Sequence, residues 1–130
     1  MFVTVDERDA RPLYQQLVDE IKTLIARGEL AEGTLLPPVR QVASDLGVNL
    51  NTVAVAYRKL QGTGLIRIKH GSGAVVISQL APKGDEERLQ SKLMPVLTDM
   101  VLAGMTRSEV LAMVSTSLKR LAGSSDPMGR

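Results

Sequence analysis

Asn49, Asn51, Thr52 and Arg58 bring amide, hydroxyl and guanidinium groups together within one short stretch of the chain. An Asn side chain can pair bidentately with adenine, an Arg with guanine or a phosphate, and a Thr with a phosphate or a thymine methyl. Arg40 precedes this group, and Lys59, Lys69, His70 and Gly71 follow it. The cations suit phosphates, and a glycine lets the main chain come close to a sugar-phosphate strand. Each residue also has a plainer use. Asn49, Asn51 and Thr52 could serve only to start a helix, Arg58 could be a solvated charge, Arg40 could pair with Asp6 or Glu7, and Gly71 could simply allow a tight turn.

Other chemistries are poorly served. There is no Cys, and His70 is the single His of the 130 residues, which excludes disulfides, thiolate chemistry, a His-based metal site and a Ser-His-Asp triad. Gly71-Ser72-Gly73 is weak evidence for a nucleotide loop, because no strand-to-helix junction follows it. No enzyme, cofactor or metal is therefore expected. The three aromatics are Phe2, Tyr14 and Tyr57. Both tyrosines fall on apolar helix faces, so no stacking platform is left for single strands or RNA, and double-stranded DNA is the better partner.

The overall charge of +2 conceals an uneven spread. Residues 1–39 carry four basic and seven acidic side chains, and residues 40–80 carry five basic ones against Asp45 alone. A local cationic surplus of this kind is the footprint of a face that meets a polyanion. The N-terminus lacks an apolar signal segment, and the longest stretch free of Asp, Glu, Lys and Arg, His70 to Pro82, is too short and Gly-rich to span a bilayer. No membrane association and a cytoplasmic location are expected.

Several elements must position these groups. Leu13, Leu17, Val18, Ile21, Leu24 and Ile25 recur at helical spacing, with Pro12 just inside the expected start and Gly28 just past the end. Leu35 and Leu36 can form a short strand before Pro37-Pro38. Val39, Val42, Ala43 and Leu46 mark a second helix of about two turns, closed by Gly47. Asn49 then caps a third helix on which Val53, Ala56, Tyr57 and Leu60 share one face. At about 100° per residue, Asn51, Val55 and Arg58 lie opposite that face. Leu65–Lys69 and Ala74–Ser78, joined through His70-Gly71-Ser72-Gly73, read as a hairpin. The whole is a winged helix-turn-helix, mainly α with a small β-hairpin, over residues 1–80.

Ala81-Pro82-Lys83-Gly84 reads as a linker. Beyond it, Asp85 can cap a helix carrying Leu89, Leu93, Val96, Leu97, Met100 and Val101, with a kink or late start expected at Pro95. Gly104 closes this helix. Thr106 to Glu109 forms a capping box, with Met105 and Val110 as a staple, for a last helix bearing Val110, Leu111, Val114, Leu118 and Leu121. Residues 81–123 thus form a helical segment, and 124–130 a tail expected to be disordered. Two such helices cannot bury both apolar stripes alone, so a second copy of the chain is the expected cover.

Pro12-Leu13-Tyr14-x-Gln16-Leu17, Arg40-x-Val42-Ala43, Leu46-Gly47-Val48-Asn49-x-Asn51-Thr52-Val53, Ala56-Tyr57-x-x-Leu60-x-x-x-Gly64-Leu65-Ile66 and Gly71-x-Gly73 resemble the DNA-binding domain of the GntR family of bacterial transcription regulators. The resemblance covers residues 12–77. It implies that Arg40 contacts phosphate or base, that Asn49, Asn51 and Thr52 open the recognition helix at the groove, and that His70-Gly71 is the wing tip. Leu50 and Ala54 stand where many members carry basic residues. With only about fifty residues after the wing, the chain resembles the short YtrA-type branch, whose two-helix C-terminal appendage serves dimerisation. The implied protein is a homodimeric regulator, expected to be a repressor on a palindromic operator, with room for an unidentified small-molecule effector. The competing expectation is a winged-helix module that binds proteins and has no specific DNA readout.

Overall fold

The computed structural model describes residues 3, 5, 6, 8–70, 73–80 and 86–122. The chain divides into two compact units, Met1–Ala81 and Pro82–Arg130. The first contains α1 (Leu13–Ala26), β1 (Leu35–Leu36), α2 (Val39–Leu46), α3 (Leu50–Gly62), β2 (Ile66–Lys69) and β3 (Gly73–Val76). The second contains α4 (Glu86–Leu102) and α5 (Arg107–Ala122).

In the first unit the apolar stripes find one another. Both α1 and α2 pack on α3, and α3 in turn packs on β2. Leu17, Ile21 and Ile25 of α1, Val42 of α2 and Val53, Ala56, Tyr57 and Leu60 of α3 are buried in one core with Leu36, Ile66 and Val76 of the sheet. Each fully buried Leu, Ile or Val contributes roughly 1.5–3 kcal/mol of hydrophobic driving force. The strands form an antiparallel sheet in the order β1-β3-β2, with Leu36 opposite Ala74 and Ile68 opposite Ala74 from the other side. Leu35-Leu36 therefore extends the hairpin into a third strand.

The N-terminal segment is tied to α1 by buried Gln16, whose Oε1 accepts from Asp6 N–H at 2.8 Å and whose Nε2 donates to the carbonyls of Asp6 and Arg11. Arg11 bridges Asp9 and Asp19, both at 2.7 Å, and its guanidinium holds the Asp9 carboxyl down at about 2. Pro12 occupies the cap position of α1 rather than its first turn. Gly73, read from the sequence as a turn residue, is the buried first residue of β3. Its φ of 83° and its close approach to the Leu36 carbonyl and Pro37 leave no room for a Cβ.

In the second unit, Gly104 ends α4 with φ 83°, and the capping box of α5 is formed. Thr106 N–H donates to Glu109 Oε1 at 3.0 Å, and Glu109 N–H donates to Thr106 Oγ1 at 3.2 Å. The α4 helix does not start late at Pro95 but runs through it from Glu86. Pro95 falls on the polar side of α4, roughly opposite the Leu89–Leu93 stripe at about 100° per residue, so the Ser91 carbonyl it leaves unbonded can be hydrated. Asp85, the 81–84 linker and the 124–130 tail lie outside the described residues. No α4 residue is buried, and on α5 only Ala122 is, among the described residues.

Candidate nucleic-acid interface

The turn between α2 and α3 is built by Gly47, at φ 68°, whose N–H closes α2 on the Ala43 and Ser44 carbonyls. Three residues later the chain re-enters a helix. Asn49 Oδ1 accepts from Asn51 N–H at 2.7 Å, so this side chain is oriented by the cap. With Val53, Ala56, Tyr57 and Leu60 facing the core, Asn51 and Arg58 are exposed on the far side and Thr52 is half-exposed beside them. The helix thus presents the amide, hydroxyl and guanidinium groups expected of it.

Two features fix the start of α2 against α3. The Tyr57 hydroxyl donates to the Pro37 carbonyl at 2.7 Å, and burial pushes its pKa up to about 12. Gly73 packs on the same Leu36–Pro37 main chain. Arg40 stands in the first turn of α2, exposed, on a helix whose start has neither a side-chain cap nor an acidic residue. Its unbonded N–H groups and the positive end of the helix dipole add to the Arg40 charge.

Ion pairs are distributed unequally. Arg8–Asp6, Arg11–Asp9, Arg11–Asp19 and Arg27–Glu29 lie in the N-terminal part of the chain. Arg40, Arg58 and Lys69 are exposed and make no ion pair among the described residues, so the pairing of Arg40 with Asp6 is not formed. Lys59 is placed differently from the other cations. Its ammonium lies 5.3 Å from the centre of the Tyr14 ring, turned towards α1. His70 is exposed in the turn after β2, while Gly71 lies outside the described residues. Arg67 was missing from the expected interface. It is exposed on the same face of β2 as Lys69, with Ile66 and Ile68 turned the other way, a placement that the two-residue period of a strand could have revealed.

Two short helices across a glycine turn, followed by a hairpin with cations on its first strand, define the winged helix-turn-helix class of DNA-binding domain. Residues 13–76 match the family described as "Bacterial regulatory proteins, gntR family", and the chain belongs to the GntR family. It is 29% identical to the HTH-type transcriptional repressor YtrA of Bacillus subtilis, over 78% of this chain and 81% of that protein. Among solved structures, it is similar to YtrA of Sulfolobus acidocaldarius, a GntR-family transcription factor (TM-score 0.62, 35% identity, 75% of this chain and 99% of the other). It is also similar to a transcriptional antiterminator of Listeria monocytogenes EGD-e (TM-score 0.84, 29% identity, 96% and 95%). The relatives are transcriptional regulators, with YtrA-type proteins among them. Among the described residues, no group of side chains could hold a metal and no helix is long and apolar enough to cross a membrane.

Proposed function

We propose that the chain is a sequence-specific transcription regulator that acts in the cytoplasm as a homodimer and represses from a palindromic operator in double-stranded DNA. The observation that carries this reading is the set of exposed cations on the helix-turn-helix and wing, Arg40, Arg58, Arg67 and Lys69, which make no ion pair among the described residues. A face of merely solvated charge would have no reason to surround a helix that also presents Asn51 and Thr52. Arg40 and the wing cations Arg67 and Lys69, with His70 and Gly71 at the tip, hold the backbone. Asn51, Thr52 and Arg58 read the groove. Asn49 and Lys59 act mainly through the cap and the Tyr14 contact. Repression follows the name of the Bacillus relative. Dimerisation rests on the exposed apolar faces of α4 and α5, which residues 81–123 supply as a pairing segment. Two recognition helices related by a two-fold axis would meet half-sites roughly one helical turn apart.

Selection of bound duplexes from a random pool gives the half-site and its spacing together. Binding should then fall steeply with salt. Arg40→Ala should weaken all duplexes and lower the salt slope by about one, whereas Asn51→Ala should mainly narrow the gap between operator and random DNA. Equal losses on both DNAs for Asn51→Ala would remove it as a base reader, and salt-insensitive binding would favour the protein-interaction module.

A further inference from the structure

A side chain of α3 reaches the wing. Gln61, in the last turn of α3, accepts a hydrogen bond through Oε1 from Ile68 N–H of β2 at 2.7 Å. The ladder explains why that donor is available. Ile77 N–H donates to the Leu65 carbonyl at 2.9 Å, and in an antiparallel pair the bonded positions recur every second residue. Leu65, Arg67 and Lys69 therefore bond towards β3, and Ile68 N–H points away from it. Because β2 is the outer strand of the sheet, no further strand lies on that side. Gln61 takes the donor instead.

This bond is not needed to satisfy a buried group, since Gln61 is exposed and water could serve Ile68 N–H equally well. Its geometric consequence is what distinguishes it. The wing meets the body in two places, along β1–β3 at Leu35–Val75 and Leu36–Ala74, and where β2 packs on α3 through Ile66 and Ile68. Gln61 adds a directional bond to the second of these. The strand that carries the cations is the one held by Gln61.

We propose that Gln61 is a positioning residue that fixes the pitch of the wing relative to the recognition helix, so that Arg67 and Lys69 reach the backbone of the same duplex that Asn51, Thr52 and Arg58 enter. This inference rests on the DNA-binding reading above. It also gives the outer strand a side-chain cover against pairing with another edge.

The test uses the full chain with Gln61→Met, which keeps the length but removes the strong acceptor, and Gln61→Glu, which retains an acceptor. In the free protein, Ile68 amide exchange should rise about fivefold to tenfold in Gln61→Met and stay near wild type in Gln61→Glu. Binding of a mixed-sequence duplex of about 30 base pairs is then followed from about 50 to 200 mM salt. Gln61→Met should lower the salt slope by about one to two, and should add little to the loss caused by Arg67→Ala with Lys69→Ala. A variant that loses affinity equally at every salt concentration, or whose loss adds in full to that of the wing pair, overturns the proposal while leaving DNA binding intact. Absence of salt-dependent binding by the wild type overturns the DNA reading itself.

Discussion

The α1 helix and the α4–α5 pair carry the same kind of apolar stripe and meet opposite fates. On α1, Leu17, Ile21 and Ile25 are buried. On α4, Leu89 and Leu93 are 57% and 48% exposed, and on α5 Leu111 and Leu118 are 57% and 39% exposed. Spacing of three and four residues specifies a helix with one apolar face, but it does not specify what covers that face. In the first unit the cover comes from topology, because α2, α3 and the sheet converge on one core. In the second unit no residue of α4 and only Ala122 of α5 is buried among the described residues, so the two helices leave most of both stripes exposed. The first unit covers its own apolar stripes, and the second leaves its stripes exposed, which is the opening that the proposed pairing would fill.

Two glycines with the same φ of 83° offer the sharpest way to break the comparison. A Cβ on Gly73 would collide with the Leu36 carbonyl and Pro37, whereas one on Gly104 would meet nothing. Gly73→Ala should destabilise the first unit by about 3 kcal/mol or more, combining positive-φ strain with a main-chain clash. Gly104→Ala should cost only about 1–2 kcal/mol, the strain alone. Urea unfolding of both variants checks the difference, and equal losses would show that the Leu36–Pro37 contact does not constrain the wing.

Next in size is the loss of the proposed pairing. Leu93→Glu combined with Leu118→Glu places charges on the exposed faces of α4 and α5. If water covers these faces, the double variant should change little, within about 0.5 kcal/mol. If a second copy covers them, the buried charges should weaken dimerisation by about a hundredfold or more. Sedimentation equilibrium distinguishes the two outcomes, and dimers of undiminished strength would reject the proposed cover.

The buried Tyr57 hydroxyl gives a probe that belongs to the first unit. Tyr57 is protonated and buried in the fold with its pKa pushed up to about 12 from the ordinary 10. A raised folded pKa means that stability is complete below pH 10 and is lost as pH rises from 10 to 12, by on the order of 2 kcal/mol. Tyr57→Phe should remove this pH dependence and cost about 1–3 kcal/mol near neutrality, because the Pro37 carbonyl loses its donor. Urea midpoints measured from pH 8 to 12 give both effects.

What could be read from the sequence divides along the same line. The stripes, the Asn49 cap, the Gly47 turn and the Thr106–Glu109 box are written within a few residues of one another, and all appear in the structure. Contacts between residues far apart in the chain were not legible. Gly73 looked like a turn residue because only the approach of Leu36 shows why it must be glycine. Lys59 looked free because its position does not reveal that the Tyr14 ring lies beneath it. Gln61 has no local signature, since its partner Ile68 is set by the phase of the ladder. Pro95 suggested a kink or a late start, although α4 runs through it from Glu86 with the proline on a face where an unbonded carbonyl can be hydrated.

The smallest effect belongs to the second unit, where a local interaction is not masked by a surrounding core. Bonds from the Thr106 main chain and side chain hold the Glu109 carboxyl below its ordinary range. A lowered folded pKa means that the stabilisation is present above the ordinary carboxylate value and disappears as pH falls through the folded one. Thr106→Ala should therefore raise amide exchange in the first turn of α5 about fivefold at pH 7, with a smaller ratio once Glu109 is protonated. The exchange of α1 and α3 amides should not respond, because their protection comes from a core to which Thr106 does not belong. A response there would mean that the two units share one cooperative transition, and the contrast between a self-covered core and an uncovered helix pair would lose its basis.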